Sequence, residues 1–486
     1  MLFRKFFIFL VGLLVFLVIS LYYSYDYLRR LQDMAGVRHP DVLLITIDTC
    51  RADAIGAYGN PDVYSPFSDS LSRNGIVFPR AYAPVPTTGP SHTTILTGRS
   101  PVVHRVFRNA MKYSQKHTNL AQIFRDTGYR TAAFVSGYSL TARTCGLDSG
   151  FEFYDDAWSK TTLERDAMDT ITNCTAWLNT VGSSPFFVWL HLFDPHAPYQ
   201  DRKPFIYSLR ENHENNQNVI NYSTEQIQKY SEHAERARAA GDFMVLVSNP
   251  MTSVTDEKTL QRFWTAYLSE VSYADHHLVQ LKRQLQSMGR WERTLVILTS
   301  DHGEGFEHDY FYAHGDRLWE TATHVPWIVR FPMNKIHSRV AKTIARHEDI
   351  FPTTLSICQI DTQNISVEGA DLKKTMELNS SGTITSWITM APPLMRKELT
   401  KGLVLAAYNP DFKLISVVDQ DDHLLFNLSE DPSEKNEVGD RYPQVKAKLM
   451  QQLRRVLSTQ HLPRQVEFDP GEVREMEKLR SLGYVE

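Results

Sequence analysis

The chain has 486 residues, 42% hydrophobic and 22% charged, with 52 Lys and Arg against 56 Asp and Glu for a formal charge of -4. At roughly 100–200 residues per domain, that length suits two or three domains or one large α/β unit. The composition excludes a disordered chain and a multi-span membrane protein, and the absence of a basic excess argues against a nucleic-acid partner.

Phe6 to Tyr23 is apolar apart from Ser20. About 18 residues at 1.5 Å each make a helix just able to cross a hydrocarbon core of roughly 30 Å. Arg4 and Lys5 precede it, and Tyr22, Tyr23 and Tyr25 close it as interfacial anchors would. No small-x-small cleavage site follows, so residues 1–35 read as an uncleaved single-pass membrane anchor and stem rather than a signal peptide. Arg29, Arg30 and Arg38 beyond the run nearly balance the charge before it. The expected placement is an extracytoplasmic body, periplasmic or extracellular, on one N-terminal tether.

Asp41–Ile47 (DVLLITI) is a short branched apolar run, as in a buried parallel strand. Similar runs occupy Thr131–Gly137, Pro185–Leu192, Thr294–Ser300 and Val325–Phe331. Helical patterns lie between them, at Asn119–Tyr129 and Thr259–Ser287. This alternation predicts an α/β sandwich with a mostly parallel central sheet, in which ligands bind beyond the C-terminal ends of the strands. The catalytic α/β domain is expected over 36–360, with a polar helical insertion at 199–254. From 361 to 486 short strands (LVLAAY, FKLISVVD, HLLFNLSEDP) and a helix at Pro443–Ser458 predict a smaller C-terminal α+β subdomain. Cys50, Cys145, Cys174 and Cys358 form no CxxC and are too few for a disulfide scaffold.

Four polar clusters follow apolar runs. Asp48 ends the first; a carboxylate there can ligate a metal, but alone it reads more readily as a helix N-cap or a solvated loop residue. Thr88 lies in PTTGPSHTTILTGRSP, where a helix start would aim backbone N–H groups at an anion and a hydroxyl could attack a bound ester; an ordinary capped helix fits the same residues. HLFDPHAPY carries His191 and His196 in a loop stiffened by prolines, and a lone histidine there would more often be structural. TSDHGEGFEHDYFYAHGDRLWE carries Asp301, His302 and His314. Asp, His and a hydroxyl together suit zinc or manganese better than calcium, because imidazole is a borderline ligand. Clusters at several strand ends point to a metal-assisted ester hydrolase or transferase.

In this order the pieces resemble the sulfatase family of the alkaline-phosphatase superfamily: DTCRADAIGAYG, T-x-P-S-H with LTGR, LAQIFRDTGYRTAAF, GFEFYDD, HLFDPHAPY, SDHGEGFEHDYFYAHGDRLWE with VPWIVRFP, and LRSLGYV. The resemblance implies an alkaline-phosphatase-like α/β/α sandwich with a divalent metal at the strand ends and a small-molecule, glycan or lipid ester as substrate. Carried over residue by residue, it makes Asp48, Asp301, His302 and Thr88 metal ligands. It makes Thr88 the nucleophile, Arg99 its support, and His196 and His314 groups acting on the ester. His191 and Lys413 are the weaker expectations for the substrate pocket.

The departures are chemical. The family's nucleophile slot holds a Cys or Ser that becomes formylglycine, whereas here it holds Thr88, followed by His92 in place of Arg. Threonine cannot become the aldehyde hydrate, because its β-carbon carries a methyl group. Thr49 stands where a second Asp is common, and His302 where Asn is common; together they lower the site's negative charge and favour a softer ion. A threonine nucleophile is known in related phosphodiesterases and phosphoethanolamine transferases. The expectation is therefore a hydrolase of phosphate or sulfate esters, with a head-group transferase and a catalytically inactive binding protein as the alternatives.

Overall fold

The computed structural model describes residues 39–157, 164–202, 257–308, 314–334, 339–361, 365–381, 386–391, 403–418 and 423–459, with a few single positions between them. The apolar N-terminal run, most of the 199–254 insertion and the closing LRSLGYV lie outside the described residues.

An eight-stranded sheet organises the chain. Its strands are β1 (Asp41–Ile47), β2 (Ile76–Val77), β3 (Arg130–Phe134), β4 (Phe153–Asp155), β5 (Phe186–Leu192), β6 (Thr294–Thr299), β7 (Trp327–Arg330) and β8 (Arg339–Val340). They lie in the order β8-β2-β7-β6-β1-β5-β3-β4. β7 runs antiparallel to both its neighbours, and the other pairings are parallel.

The pleat explains why every residue of β1 is apolar or buried. Leu43, Ile45 and Ile47 face one core, covered by α1 (Pro66–Arg73), α4 (Ala167–Leu178) and α5 (Glu257–Ser287). Val42 and Leu44 face the other, covered by α2 (Thr88–Thr97), α3 (Leu120–Asp126) and α6 (His347–Ile357). A strand with helices on both faces loses the polar-apolar alternation of a one-sided sheet. The chain is thus an α/β/α sandwich, as expected.

Local chemistry sets the helix limits. α3 starts where Asn119 accepts from Gln122 N–H while the Gln122 side chain accepts from Asn119 N–H. That reciprocal pair satisfies two donors the helix cannot. α1 starts on a borrowed cap: Asp275 of α5 accepts from Phe67 N at 2.7 Å and Ser68 N at 3.0 Å.

Beyond the sheet, β9 (Trp387–Ala391), β10 (Val404–Tyr408), β11 (Phe412–Val417) and β12 (His423–Asn427) form an antiparallel sheet in chain order. Leu449 and Leu453 of α7 (Pro443–Thr459) pack on Leu405, Ala407 and Leu414 of one face. Tyr82, Leu318 and Ile344 pack on the other, joining it to the main body. The four cysteines are buried and free. Among the described residues, no helix is long and apolar enough to cross a membrane.

Candidate active site and metal centre

Strand register builds the site. Thr46 of β1 pairs with Thr299 of β6 on one side and His191 of β5 on the other. Asp48 and Asp301 each lie two residues further on, so they leave the sheet side by side at the C-terminal ends of parallel strands. Asp48, Asp301 and His302 are wholly buried, and one ligand atom from each lies within 4.8 Å of the others.

The hydrogen bonds leave the coordinating atoms free. Asp301 Oδ1 accepts from Thr49 N at 3.2 Å and His302 N at 2.9 Å, while Oδ2 has no hydrogen-bond partner and faces His302 Nε2 at 3.4 Å. Asp48 Oδ2 accepts from His191 Nε2 at 3.1 Å, while Oδ1 has none. His302 donates Nδ1–H to Gly303 O at 2.9 Å, which leaves the Nε2 lone pair exposed to the cluster. Orphaned buried carboxylate oxygens call for a cation. Burial, then Asp301, pushes the Asp48 carboxyl well up. Burial pushes Asp301 the same way, but His302, His92 and His191 outweigh it and hold it low. Two carboxylates and one imidazole fit zinc or manganese, which accept mixed nitrogen and oxygen ligands.

Thr88 opens α2, all ten of whose residues are buried. Its Oγ1 lies 3.4 Å from His302 Nε2. The helix start is less open to an anion than its sequence implies. Gly89 gives its N–H to Asn109 Oδ1 at 2.7 Å, Pro90 has none, and Ser91 N–H returns to Thr87 O at 3.1 Å. The hydroxyl, rather than a row of amides, is what α2 presents. His92 holds it there: Nδ1 donates to Thr88 O at 2.8 Å, and Nε2 accepts from Thr46 Oγ1 at 2.9 Å. Burial pulls His92 down to about 3, so it is neutral and cannot replace the charge of an arginine.

His196 and His314 complete the cluster, with ring centroids 5.0 Å apart; the His314 ring lies 4.5 Å from that of His302. His196 donates Nδ1–H to Ala197 O at 2.7 Å and stacks on Phe193 at 4.3 Å. Burial lowers His196 to about 3 and His314 to about 4.

Three expected residues have other places. Arg99 lies beyond the far end of α2, roughly 15 Å along the axis from Thr88, and its guanidinium binds the Ser366 carbonyl. Motif spacing could not show this, because Gly98 at φ 65 ends the helix and turns the chain away. Lys413 is buried between Glu434 at 2.7 Å and Glu320 at 3.0 Å, and these carboxylates take up its charge. His191 lies behind Asp48: its Nδ1 accepts from Ser136 N at 3.3 Å, so Nε2–H donates to Asp48 and fixes the orientation of that carboxylate.

Two partners escaped the sequence reading. Glu304 sits in the DHGE run, beside residues that were selected. Ser91 bridges Asp301 O at 2.7 Å to His347 Nδ1 at 2.9 Å, a link to α6 that nothing in the local sequence signals.

Known proteins are similar to this chain in sequence and in fold. The family model described as Sulfatase matches residues 40–360. The ulvan-active sulfatase of Formosa agariphila is 22% identical over 391 residues, covering 72% of this chain and 68% of that protein. A solved structure holding its substrate D-glucosamine-2-N,6-O-disulfate superposes with a TM-score of 0.71 at 18% identity, covering 86% of this chain and 98% of that one. The phosphonate monoester hydrolase of Agrobacterium radiobacter gives a TM-score of 0.69 at 20% identity, covering 89% and 98%.

Proposed function

Because the chain belongs to the sulfatase family, whose members are metal-dependent ester hydrolases, we propose that it cleaves phosphate or phosphonate esters in preference to sulfate esters, with Thr88 as nucleophile. The observation that carries this is the Thr88 hydroxyl, buried 3.4 Å from His302 Nε2 and beside two carboxylates with orphaned oxygens. An aldehyde hydrate carries two hydroxyls on one carbon and can expel its ester by elimination; Thr88 carries one. Its ester must therefore be cleared by attack at the central atom, as in phosphoryl-threonine chemistry.

Asp48, Asp301 and His302 would hold the ion, with Thr88 at its edge. A zinc or manganese ion supplies Lewis acidity that eases loss of the hydroxyl proton and offsets charge on the ester. Thr88 Oγ loses its proton and forms the bond to phosphorus as the ester P–O bond breaks and the alcohol leaves; water then attacks phosphorus, releasing phosphate and restoring the Thr88 hydroxyl. His196 acts on the leaving oxygen; with Nδ1–H committed to Ala197 O, Nε2 carries the lone pair, so it must first take up the proton lost by Thr88 before passing one to that oxygen, a role worth typically about 10²–10⁴-fold. His314 stands against the equatorial oxygens. His191 and Ser91 fix Asp48 and Asp301 from behind. The apolar Phe6–Tyr23 run supports tethering to a membrane.

Thr88→Ala is expected to reduce turnover of an aryl phosphate by at least about 10³-fold, with metal content and melting temperature near wild type. Thr88→Ser should keep measurable turnover. Wild-type activity in Thr88→Ala would place the nucleophile elsewhere.

A further inference from the structure

A second cavity, of about 150 Å³, lies where the small sheet meets the main body, with none of the metal-site residues in its wall. Val102, Ile388, Met390 and Leu405 line it with hydrocarbon, and Glu348 and Thr389 bring oxygen to it. Glu348 is 6% exposed and Thr389 1%, and each carries an atom without a hydrogen-bond partner, Glu348 Oε2 and Thr389 Oγ1. Arg346 and Glu368 also border the space but are engaged, Arg346 with Asp349 at 2.8 Å and Glu368 with Ser100 N at 2.7 Å. We propose that this cavity is a binding site for a short aliphatic alcohol, its hydroxyl toward Thr389 and Glu348 and its carbon chain against Met390 and Leu405.

The pleat makes the cavity two-sided. Successive residues of a strand face opposite ways. Ile388 and Met390 therefore join Leu405 in the apolar core under α7, whereas Thr389 shares the face of Trp387 and Ala391, which packs on the main body. Water alone fits this space poorly. At roughly 30 Å³ each, about five waters would occupy it, and each needs two to four polar partners. The wall offers two unmatched polar atoms and is otherwise largely hydrocarbon. A purely apolar guest would leave both oxygens orphaned in a dry site. A hydroxyl both gives and accepts, so it can match Thr389, and it matches Glu348 whether or not that carboxyl carries a proton. An apolar cavity of about 150 Å³ accommodates benzene, which sets the guest at about six heavy atoms, five carbons and one oxygen.

Calorimetric titration of the full-length, metal-loaded protein with cyclopentanol tests the site. One equivalent should bind saturably, with a Kd of about 1 mM. Ile388→Phe fills the apolar end and should abolish binding; Val102→Phe does the same and serves if Ile388→Phe fails to fold. Thr389→Val keeps the shape and removes the hydroxyl. It should weaken binding by about 3–10-fold and raise the melting temperature of the unliganded protein, since an unmatched buried hydroxyl is gone. No saturation by about 20 mM, roughly twentyfold above the expected Kd, or undiminished binding in both filled variants, overturns the proposal. A melting temperature that falls in Thr389→Val would show that water already matches the hydroxyl, and overturns it as well. None of these readings involves turnover at Thr88, so each stands or falls apart from the nucleophile assignment.

Discussion

Each side chain of the candidate metal centre has one atom pinned and one left over. Asp301 is pinned by Thr49 N and His302 N, Asp48 by His191, and His302 by its own Gly303 carbonyl. Such pinning removes the entropy cost of orienting ligands when an ion arrives, and it predicts graded losses. Asp301→Asn removes a ligand charge and should weaken metal binding by more than about 10-fold, whereas His191→Gln removes only an outer partner and should cost about 10–100-fold in activity or affinity. Titration of the metal-stripped protein, followed by metal analysis, checks both; unchanged affinity in Asp301→Asn would discard it as a ligand. The positions of Asp48, Asp301 and His302 were legible because each follows a buried apolar run directly. The role of His191 was not. Register alone sets a strand-end histidine beside β1 rather than in open space, and register is a property of the paired strands.

At the scale of elements, α2 and β11 show where motif reading stops. The hydroxyl at the start of α2 was legible, but Arg99, which the motif ties to it, is separated from it by the whole helix. Lys413 alternates correctly into the face of β11, and its partners come from distant loops at Glu320 and Glu434. One ammonium facing two carboxylates, Glu434 buried and Glu320 partly exposed, leaves a carboxylate in excess. Burial, opposed by Lys413 and aided by Glu320, raises Glu434 to about 7. A carboxyl raised on folding contributes stability that is present below its unfolded value, near 4.5, and lost as pH rises through about 7. The melting temperature should therefore fall by several degrees between about pH 5 and pH 8, and Glu434→Gln should flatten that slope. An unchanged slope in Glu434→Gln would assign the pH dependence to other groups.

Across the whole molecule, the central strands and the order of the sandwich were legible because parallel strands buried on both faces are uniformly apolar. The reversed direction of β7 was not, since an antiparallel strand buried on both faces has the same composition. Glu304 and Ser91 were missed for a related reason: their partners are set by how segments distant in sequence meet. The apolar Phe6–Tyr23 run predicts that the full chain sediments with membranes and resists a high-salt wash, while a chain starting at His39 stays in the supernatant. A full-length chain released by salt would refute tethering by that run.

The central claim is that Thr88 becomes covalently attached to the group it cleaves from an ester. Acid quenching of the metal-loaded enzyme during turnover of an aryl phosphate, followed by peptide mass spectrometry, tests it most directly. The account predicts one phosphoryl group on Thr88, absent from Thr88→Ala and from the metal-stripped protein. Rapid turnover with Thr88 unmodified at every quench time, and no loss of rate in Thr88→Ala, would contradict it.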